Sequence, residues 1–150
     1  MSMSEIINWI NLAKGDFTGH PFRGNQFTQG AAEKLADKLG ASMSPRGTSG
    51  HMEAAADHVR LASYHLEKAK EFTDKGFKAH SPGDMSEHFK VADAHRDAAF
   101  QHMEAAKSHD IASGDDSAFK QANRDSNNAA EATSKAHVAE NSQPSYLTLR

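Results

Sequence analysis

The chain contains no cysteine, so disulfides and thiolate chemistry are excluded. It has one tryptophan and four prolines in 150 residues, and it lacks an apolar run long enough to predict a transmembrane helix. The N-terminus has no basic segment leading into a hydrophobic stretch, so no signal peptide is indicated. The formal net charge of −3 argues against a general nucleic-acid-binding protein. We therefore expect neither a membrane nor a nucleic acid as a partner.

Motifs that mark common active sites are also missing. The sequence has no GxSxG elbow, no GxxxxGK[ST] phosphate loop, no GxGxxG motif and no HExxH zinc motif. Acidic pairs such as Glu53 with Asp57 fall in segments rich in charge and are interpreted as solvated helix surface. We expect no catalytic residue, no cofactor and no metal site, and we interpret the protein as non-enzymatic.

Large apolar residues are concentrated near the N-terminus. The only tryptophan and three of the four isoleucines lie in the first twelve residues. Residues 15–30 then combine four glycines and a proline with three phenylalanines, which predicts an ordered Gly-rich loop. A short helix is expected over residues 30–40 and a linker over residues 41–50. Residues 1–50 are thus predicted to form an N-terminal arm with short helices and a loop.

An internal repeat dominates the rest of the chain. Residues 58–70 align with residues 95–107 without a gap, and a third, weaker copy begins near Phe119. This repeat predicts an all-α protein with an antiparallel three-helix, Ala-rich bundle at about residues 51–75, 84–112 and 116–140, followed by a tail over residues 141–150. Gly76 is expected to end the first of these helices, and Asp84 with Glu87 is expected to cap the second.

A heptad repeat underlies the three predicted helices. Its alanine column consists of Ala55, Ala62, Ala69, Ala92, Ala99, Ala106, Ala122, Ala129 and Ala136. A second column, three residues before each alanine, consists of Met52, Val59, Leu66, Phe89, Arg96, Met103, Phe119, Ser126 and Thr133. Together they predict an a/d stripe in which small residues let the helices approach closely. Leucine should therefore be destabilising at Ala99 and tolerated at Ala98, which lies off the stripe.

Seven of the ten histidines follow the same seven-residue period. This histidine column consists of His51, His58, His65, His88, His95, His102 and His109. Histidines seven residues apart on one helix are about 10.5 Å apart, too far to share a metal ion. If the first two helices form a hairpin near residue 80, facing residue numbers sum to roughly 160. The predicted pairs are His65 with His95, His58 with His102, and His51 with His109.

The histidine column has three interpretations. The rings point their nitrogens at water beside the alanines, or they hydrogen-bond in pairs across the two helices. Alternatively the six paired histidines respond to pH, because protonating two facing imidazoles brings like charges together and lowers their pKa values below about 6.5. The third interpretation is metal binding, which needs one histidine from each helix and a further ligand.

Residues 19–27 read GHPFRGNQF. This segment resembles a short motif of proteins encoded by tailed bacteriophages and prophages, head-associated proteins among them. The resemblance covers these residues alone. It implies a phage-encoded protein and assigns no catalytic role to any residue. Phenylalanines are suited to anchor such a loop, and its polar side chains are suited to bond to a partner's backbone. Alternatively the loop packs on its own bundle.

The N-terminal arm supplies the candidate partner-binding residues. They are Ile6, Trp9, Ile10, Phe17, Phe22, Arg23, Asn25, Gln26 and Phe27. We interpret the protein as a minor virion component of a tailed bacteriophage, head-decorating or head-associated, whose arm docks onto a capsid or other virion protein. It would be found in the virion, and in the host cytoplasm during assembly. A second copy of the chain is a further candidate partner, as a homo-oligomer.

Two other functions compete with this interpretation. One is a small phage-encoded regulatory or host-takeover protein that binds a cytoplasmic target through the helical bundle. The other is a His-rich metal-binding protein.

Overall fold

A computed structural model describes residues 27–41 and 47–144 of the chain. Its four α-helices are α1 (Gln29–Gly40), α2 (Gly47–Phe77), α3 (Pro82–Gly114) and α4 (Phe119–Asn141). A 3-10 turn, Asp116–Ala118, connects α3 to α4. No strand occurs in these two described ranges. The predicted all-α fold is confirmed.

The helices pack as a bundle built on an α2–α3 hairpin. Helix α4 packs against α3, and α1 packs mainly against α4 with a smaller contact to α2. A hydrophobic cluster joins α1, α2 and α4, in which Leu39, Leu61 and Tyr64 are buried among alanines. The short helix expected over residues 30–40 is therefore present, and it forms a fourth member of the bundle.

The ends of the helices differ in detail from the sequence prediction. Ser81 caps α3, because its Oγ accepts a hydrogen bond from the Asp84 backbone N–H at 3.2 Å. The predicted capping box that begins at Asp84 is therefore wrong, since Asp84 lies within the first helical turn. Helix α2 begins at Gly47 rather than near residue 51.

Gly76 serves close packing rather than helix termination. Helix α2 continues through Gly76 to Phe77, so the predicted stop at Gly76 is wrong. A Cβ atom at Gly76 would lie 2.3 Å from Cε1 of Phe89, far inside van der Waals contact. Glycine at this position lets the ring of Phe89 on α3 lie directly against the backbone of α2.

The alanine column is confirmed. The second column is confirmed at Val59, Ser126 and Thr133, which are buried, and is wrong at Met52 and Arg96. All nine alanines are buried. In the second column, Val59 is buried, but Met52 is 42% exposed and Arg96 is exposed. The histidine column occupies the core in place of the second column on α2 and α3, since all seven of its members are buried. Ala98 is also buried, packed with Ala132 and Ala136 of α4, so its predicted position off the packed surface is wrong and leucine is expected to be destabilising there as well.

Candidate functional site: a buried imidazole chain

The three predicted histidine pairs form in the core of the bundle. In each pair the two Nδ1 atoms are within hydrogen-bond distance, and all six side chains are fully buried. The distances are 2.9 Å for His51 with His109, 2.8 Å for His58 with His102, and 2.8 Å for His65 with His95. The interpretation in which the imidazoles bond across the two helices is therefore confirmed.

Two hydroxyl groups of α4 connect the pairs to one another. Ser126 and Thr133 each lie between the Nε2 atoms of two histidines from different pairs. The contacts are Ser126 Oγ to His58 at 2.8 Å and to His109 at 2.7 Å, and Thr133 Oγ1 to His65 at 3.0 Å and to His102 at 2.7 Å. These polar residues, which look like weak positions in the heptad of α4, are the hydrogen-bond partners of the imidazoles.

A carboxylate lies at each end of this arrangement. At one end, His51 Nε2 is 2.8 Å from Oδ1 of Asp116, whose side chain is 47% exposed. At the other end, His95 Nε2 is 3.5 Å from Oε1 of Glu140, whose side chain is only 15% exposed. We call the whole path the imidazole chain. Its order is Asp116, His51, His109, Ser126, His58, His102, Thr133, His65, His95 and Glu140.

The two ends of the imidazole chain are not equivalent. The contact of His51 with Asp116 is a hydrogen bond, whereas His95 Nε2 and Glu140 Oε1 are both buried and have no hydrogen-bond partner. The other carboxylate oxygen of Glu140 accepts a hydrogen bond from the side-chain amide of Gln29 on α1. Unpaired polar atoms in a core are uncommon and require an explanation.

Burial sets the protonation of the central histidines. It lowers the pKa of His102 to about 3. It also lowers the pKa of His65 well below its usual value, and the neighbouring His102 and His95 lower that pKa further. The direction agrees with the sequence prediction, but its main cause is loss of hydration rather than repulsion between facing rings. Both rings are therefore neutral at pH 7.

Opposing effects act on the carboxyl group of Glu140. Burial raises its pKa, while the neighbouring side chains of His95 and Lys68 lower it. The net direction is downward, so Glu140 is a carboxylate at neutral pH.

Two further histidines lie beside the imidazole chain without belonging to it. His88, the remaining member of the histidine column, packs near the ring of Phe72 and lies 3.3 Å from the side-chain nitrogen of Gln143. His137 of α4 is buried and bonds to Glu33 and to the hydroxyl of Tyr64, each at 2.9 Å. The sequence missed His137 because no histidine repeats around it at the seven-residue period.

Only one of the predicted partner-binding residues lies in the described part of the chain. The ring of Phe27 packs edge-on against Tyr64 with centroids 6.1 Å apart, and the guanidinium of Arg60 lies 5.1 Å from its centre. Phe27 therefore contacts the bundle of its own chain. The other eight residues lie outside the described ranges: Ile6, Trp9, Ile10, Phe17, Phe22, Arg23, Asn25 and Gln26.

The spacing within the histidine pairs suits a proton rather than a metal ion. A zinc ion bound between two imidazoles needs about 2.0–2.1 Å to each nitrogen, which is more room than the Nδ1 atoms leave. Over residues 27–41 and 47–144, no three or more His, Asp or Glu side chains are grouped so as to hold a metal ion.

Comparisons with known proteins add no relative. No protein-family model, curated protein or solved structure matches the chain. Among the helices that the structure describes, none combines the length and apolar character needed to cross a bilayer.

Proposed function

We propose that the protein is a non-enzymatic structural and interaction protein, a minor virion component of a tailed bacteriophage. Its N-terminal arm docks onto a capsid or other virion protein, and the helical bundle forms the body that the arm attaches. The phage assignment is supported by the GHPFRGNQF segment at residues 19–27. The docking role is supported by a contrast between the arm and the bundle.

The proposal rests on the distribution of the large apolar side chains between the bundle and the N-terminal arm. The bundle core is filled by alanine, histidine and a few larger residues, and the central imidazoles bond to one another and to α4. The sequence places Trp9, Ile6 and Ile10 outside this repeat. Aromatic and large aliphatic side chains are typical anchors of protein interfaces.

A second candidate function has its own structural observation. Four large apolar side chains of the bundle are more than half exposed, namely Phe77, Phe100, Ile111 and Val138. Phe100 and Ile111 are eleven residues apart on α3 and so share one face of that helix. This face would serve a regulatory protein that binds a cytoplasmic target through the bundle.

Co-purification with intact phage particles tests the proposal. Mass spectrometry should detect the full-length protein in purified virions, and Trp9→Ala should remove it from them. Phe100→Ala is the matched control and should leave incorporation unchanged. If the protein is absent from virions, or if Phe100→Ala alone abolishes partner binding, the bundle-binding function replaces the one proposed.

A further inference from the structure

The ring protons of the histidine pairs can be assigned by counting. A neutral imidazole has one N–H donor and one acceptor nitrogen, so a neutral pair holds two ring protons. One of these lies between the two Nδ1 atoms, because that contact is a hydrogen bond. The other must lie on one of the two outer Nε2 atoms. Each neutral pair therefore donates at one outer end and accepts at the other.

Asp116 fixes the direction at its end of the imidazole chain. A carboxylate only accepts hydrogen bonds, so His51 Nε2–H donates to Asp116 across the 2.8 Å contact. The outer nitrogen of His109 is then the acceptor of that pair. Ser126 donates its single hydroxyl proton to His109 and accepts from His58 Nε2–H. The Ser126 hydroxyl therefore imposes on the next pair the same hydrogen-bond direction that Asp116 sets in the first.

The same direction continues to the far end. With His58 donating, the outer nitrogen of His102 accepts, and its donor is the hydroxyl of Thr133. Thr133 in turn accepts from His65 Nε2–H. In the last pair the outer nitrogen of His95 is consequently an acceptor.

Two acceptors therefore face each other at the far end. Neutral His95 presents a lone pair to the carboxylate of Glu140 across 3.5 Å, with no donor between them. Both atoms are buried without a hydrogen-bond partner, which is unfavourable for polar groups in a core. One additional proton turns this mismatch into a charge-assisted hydrogen bond.

We propose that His95 and Glu140 bind one proton at neutral pH, held on His95 Nε2 and shared with the carboxylate, and that the imidazole chain can relay this proton to Asp116. The ligand of the site is a proton from solvent. It enters through a cleft lined in part by Lys68, Phe72, His88 and Glu140.

Charged and titratable groups from three helices surround this site. Glu33 is contributed by α1, the groups Tyr64, His65, Lys68 and Glu71 by α2, and His137 by α4. The carboxylates of Glu140, Glu33 and Glu71 favour a proton on His95, whereas Lys68 opposes it. Glu71 is itself paired with Lys68 and Lys75, so the carboxylate that acts most directly on His95 is Glu140, 3.5 Å from the ring nitrogen.

The relay step conserves protons. Each imidazole accepts a proton on one nitrogen and releases one from the other, and each hydroxyl accepts one and releases its own. The proton added at His95 Nε2 thus displaces one along the path, and the last displaced proton passes from His51 Nε2 to Asp116. After this transfer, every hydrogen bond along the imidazole chain points in the opposite direction. Asp116 is half-exposed and returns its proton to solvent.

Nitrogen NMR of the histidine rings tests the proton-binding site in the intact protein. In the wild type at pH 7, His95 should have protons on both ring nitrogens. In Glu140→Gln the side-chain amide donates to Nε2, so His95 should be neutral with its proton on Nδ1. Glu71→Gln removes a charge from the same cleft without touching the imidazole chain, and it should leave both His95 protons in place.

A substitution at the opposite end tests the relay path. In Asp116→Asn the amide can donate to His51 Nε2, so the direction reverses and His95 Nε2–H donates to Glu140 without an added proton. His95 should then be neutral with its proton on Nε2, about 21 Å along the helix axis from the substituted end. Asp115→Asn, with the same charge change at a residue that bonds to Ser117 instead, should have no effect on His95.

Each outcome decides between the alternatives. If His95 Nε2 carries no proton in the wild type at pH 7, the proposed proton-binding site is wrong, and no variant is needed to show it. If His95 is doubly protonated but does not respond to Asp116→Asn, the site stands and the relay is overturned.

Discussion

The alanine column and the histidine column run along the same helices with the same seven-residue period, yet they contribute to the fold in opposite ways. The alanines stabilise the hairpin by being small, since their methyl groups let α2 and α3 approach closely. The histidines fill the space beside them and depend on hydrogen bonds, because a buried imidazole without partners is costly. Periodicity therefore reveals which positions are buried, whereas side-chain chemistry decides what burial requires of the neighbours.

The largest expected effect comes from deleting one ring of the histidine column. His102→Ala should lower the free energy of unfolding by about 3–5 kcal/mol, because it leaves a cavity and removes the partner of His58. Chemical denaturation measures the change. His80→Ala, at an exposed histidine in the α2–α3 connection, should change the stability by less than about 0.5 kcal/mol. Similar losses for the two variants would contradict the role of the column.

The alanine column should be destabilised by added side-chain volume, whereas the histidine column is destabilised by its loss. Ala99→Leu should cost about 1–3 kcal/mol, because the helices cannot separate without losing the histidine bonds beside them. Ala98→Leu should cost a similar amount against α4. Ala31→Leu makes the same change at an exposed alanine of α1 and serves as the control in thermal unfolding. A tolerated Ala98→Leu would show that the α3–α4 contact is looser than described.

Acidification should weaken the histidine column and leave the alanine column unaffected. The lowered pKa values of His65 and His102 mean that the unfolded chain binds protons more readily, so stability is fully present above about pH 6.5. It should fall as the pH drops from there toward the folded values, by up to about 1.4 kcal/mol per pH unit for each histidine. Denaturation midpoints recorded between pH 7 and pH 4 measure this slope.

The double variant His58→Gln with His102→Gln should flatten the pH dependence. His80→Gln is a suitable control because His80 is exposed, whereas His137 is not, since it is buried beside the imidazole chain. An unchanged slope in the double variant would mean that other groups cause the acid sensitivity.

The smallest expected effect distinguishes the contribution of the Thr133 hydroxyl group from that of its methyl group. Thr133→Ser keeps the oxygen between His65 and His102 and should cost about 0.8 kcal/mol for the lost methyl group. Thr133→Val keeps the shape but removes the oxygen, so it should cost more, about 1–3 kcal/mol. Equal stabilities of the two variants would show that the hydroxyl does not hold the two histidine pairs together.

Much of the hairpin could be predicted from the sequence because the seven-residue period and the position of its turn determine the pairing arithmetically. His58 and His102 meet as expected for a turn near residue 80. The period alone does not determine which of two adjacent columns faces the third helix, so Met52 and Arg96 were wrongly placed in the core stripe. That choice depends on the rotation of α2 and α3 about their axes, which the docking of α4 fixes.

For a related reason, only part of the candidate site could be predicted from the sequence. The histidine pairs follow from the repeat, but the bridging roles of Ser126 and Thr133 depend on how far α4 is shifted along the hairpin. The end residues, Asp116 and Glu140, belong to the 3-10 turn and to the end of α4. No local pattern connects them to histidines that are distant in the sequence.

The position of the bridging hydroxyls has a consequence for how the protein folds. A hairpin of α2 and α3 alone would leave the outer nitrogens of its central pairs unbonded in a partly formed core, because their partners are on α4. The hairpin alone is therefore not expected to be a stable folding intermediate, although its two helices share the most extensive contact among the helices that the structure describes. Docking of α4 and closure of the hairpin should occur as a single cooperative transition.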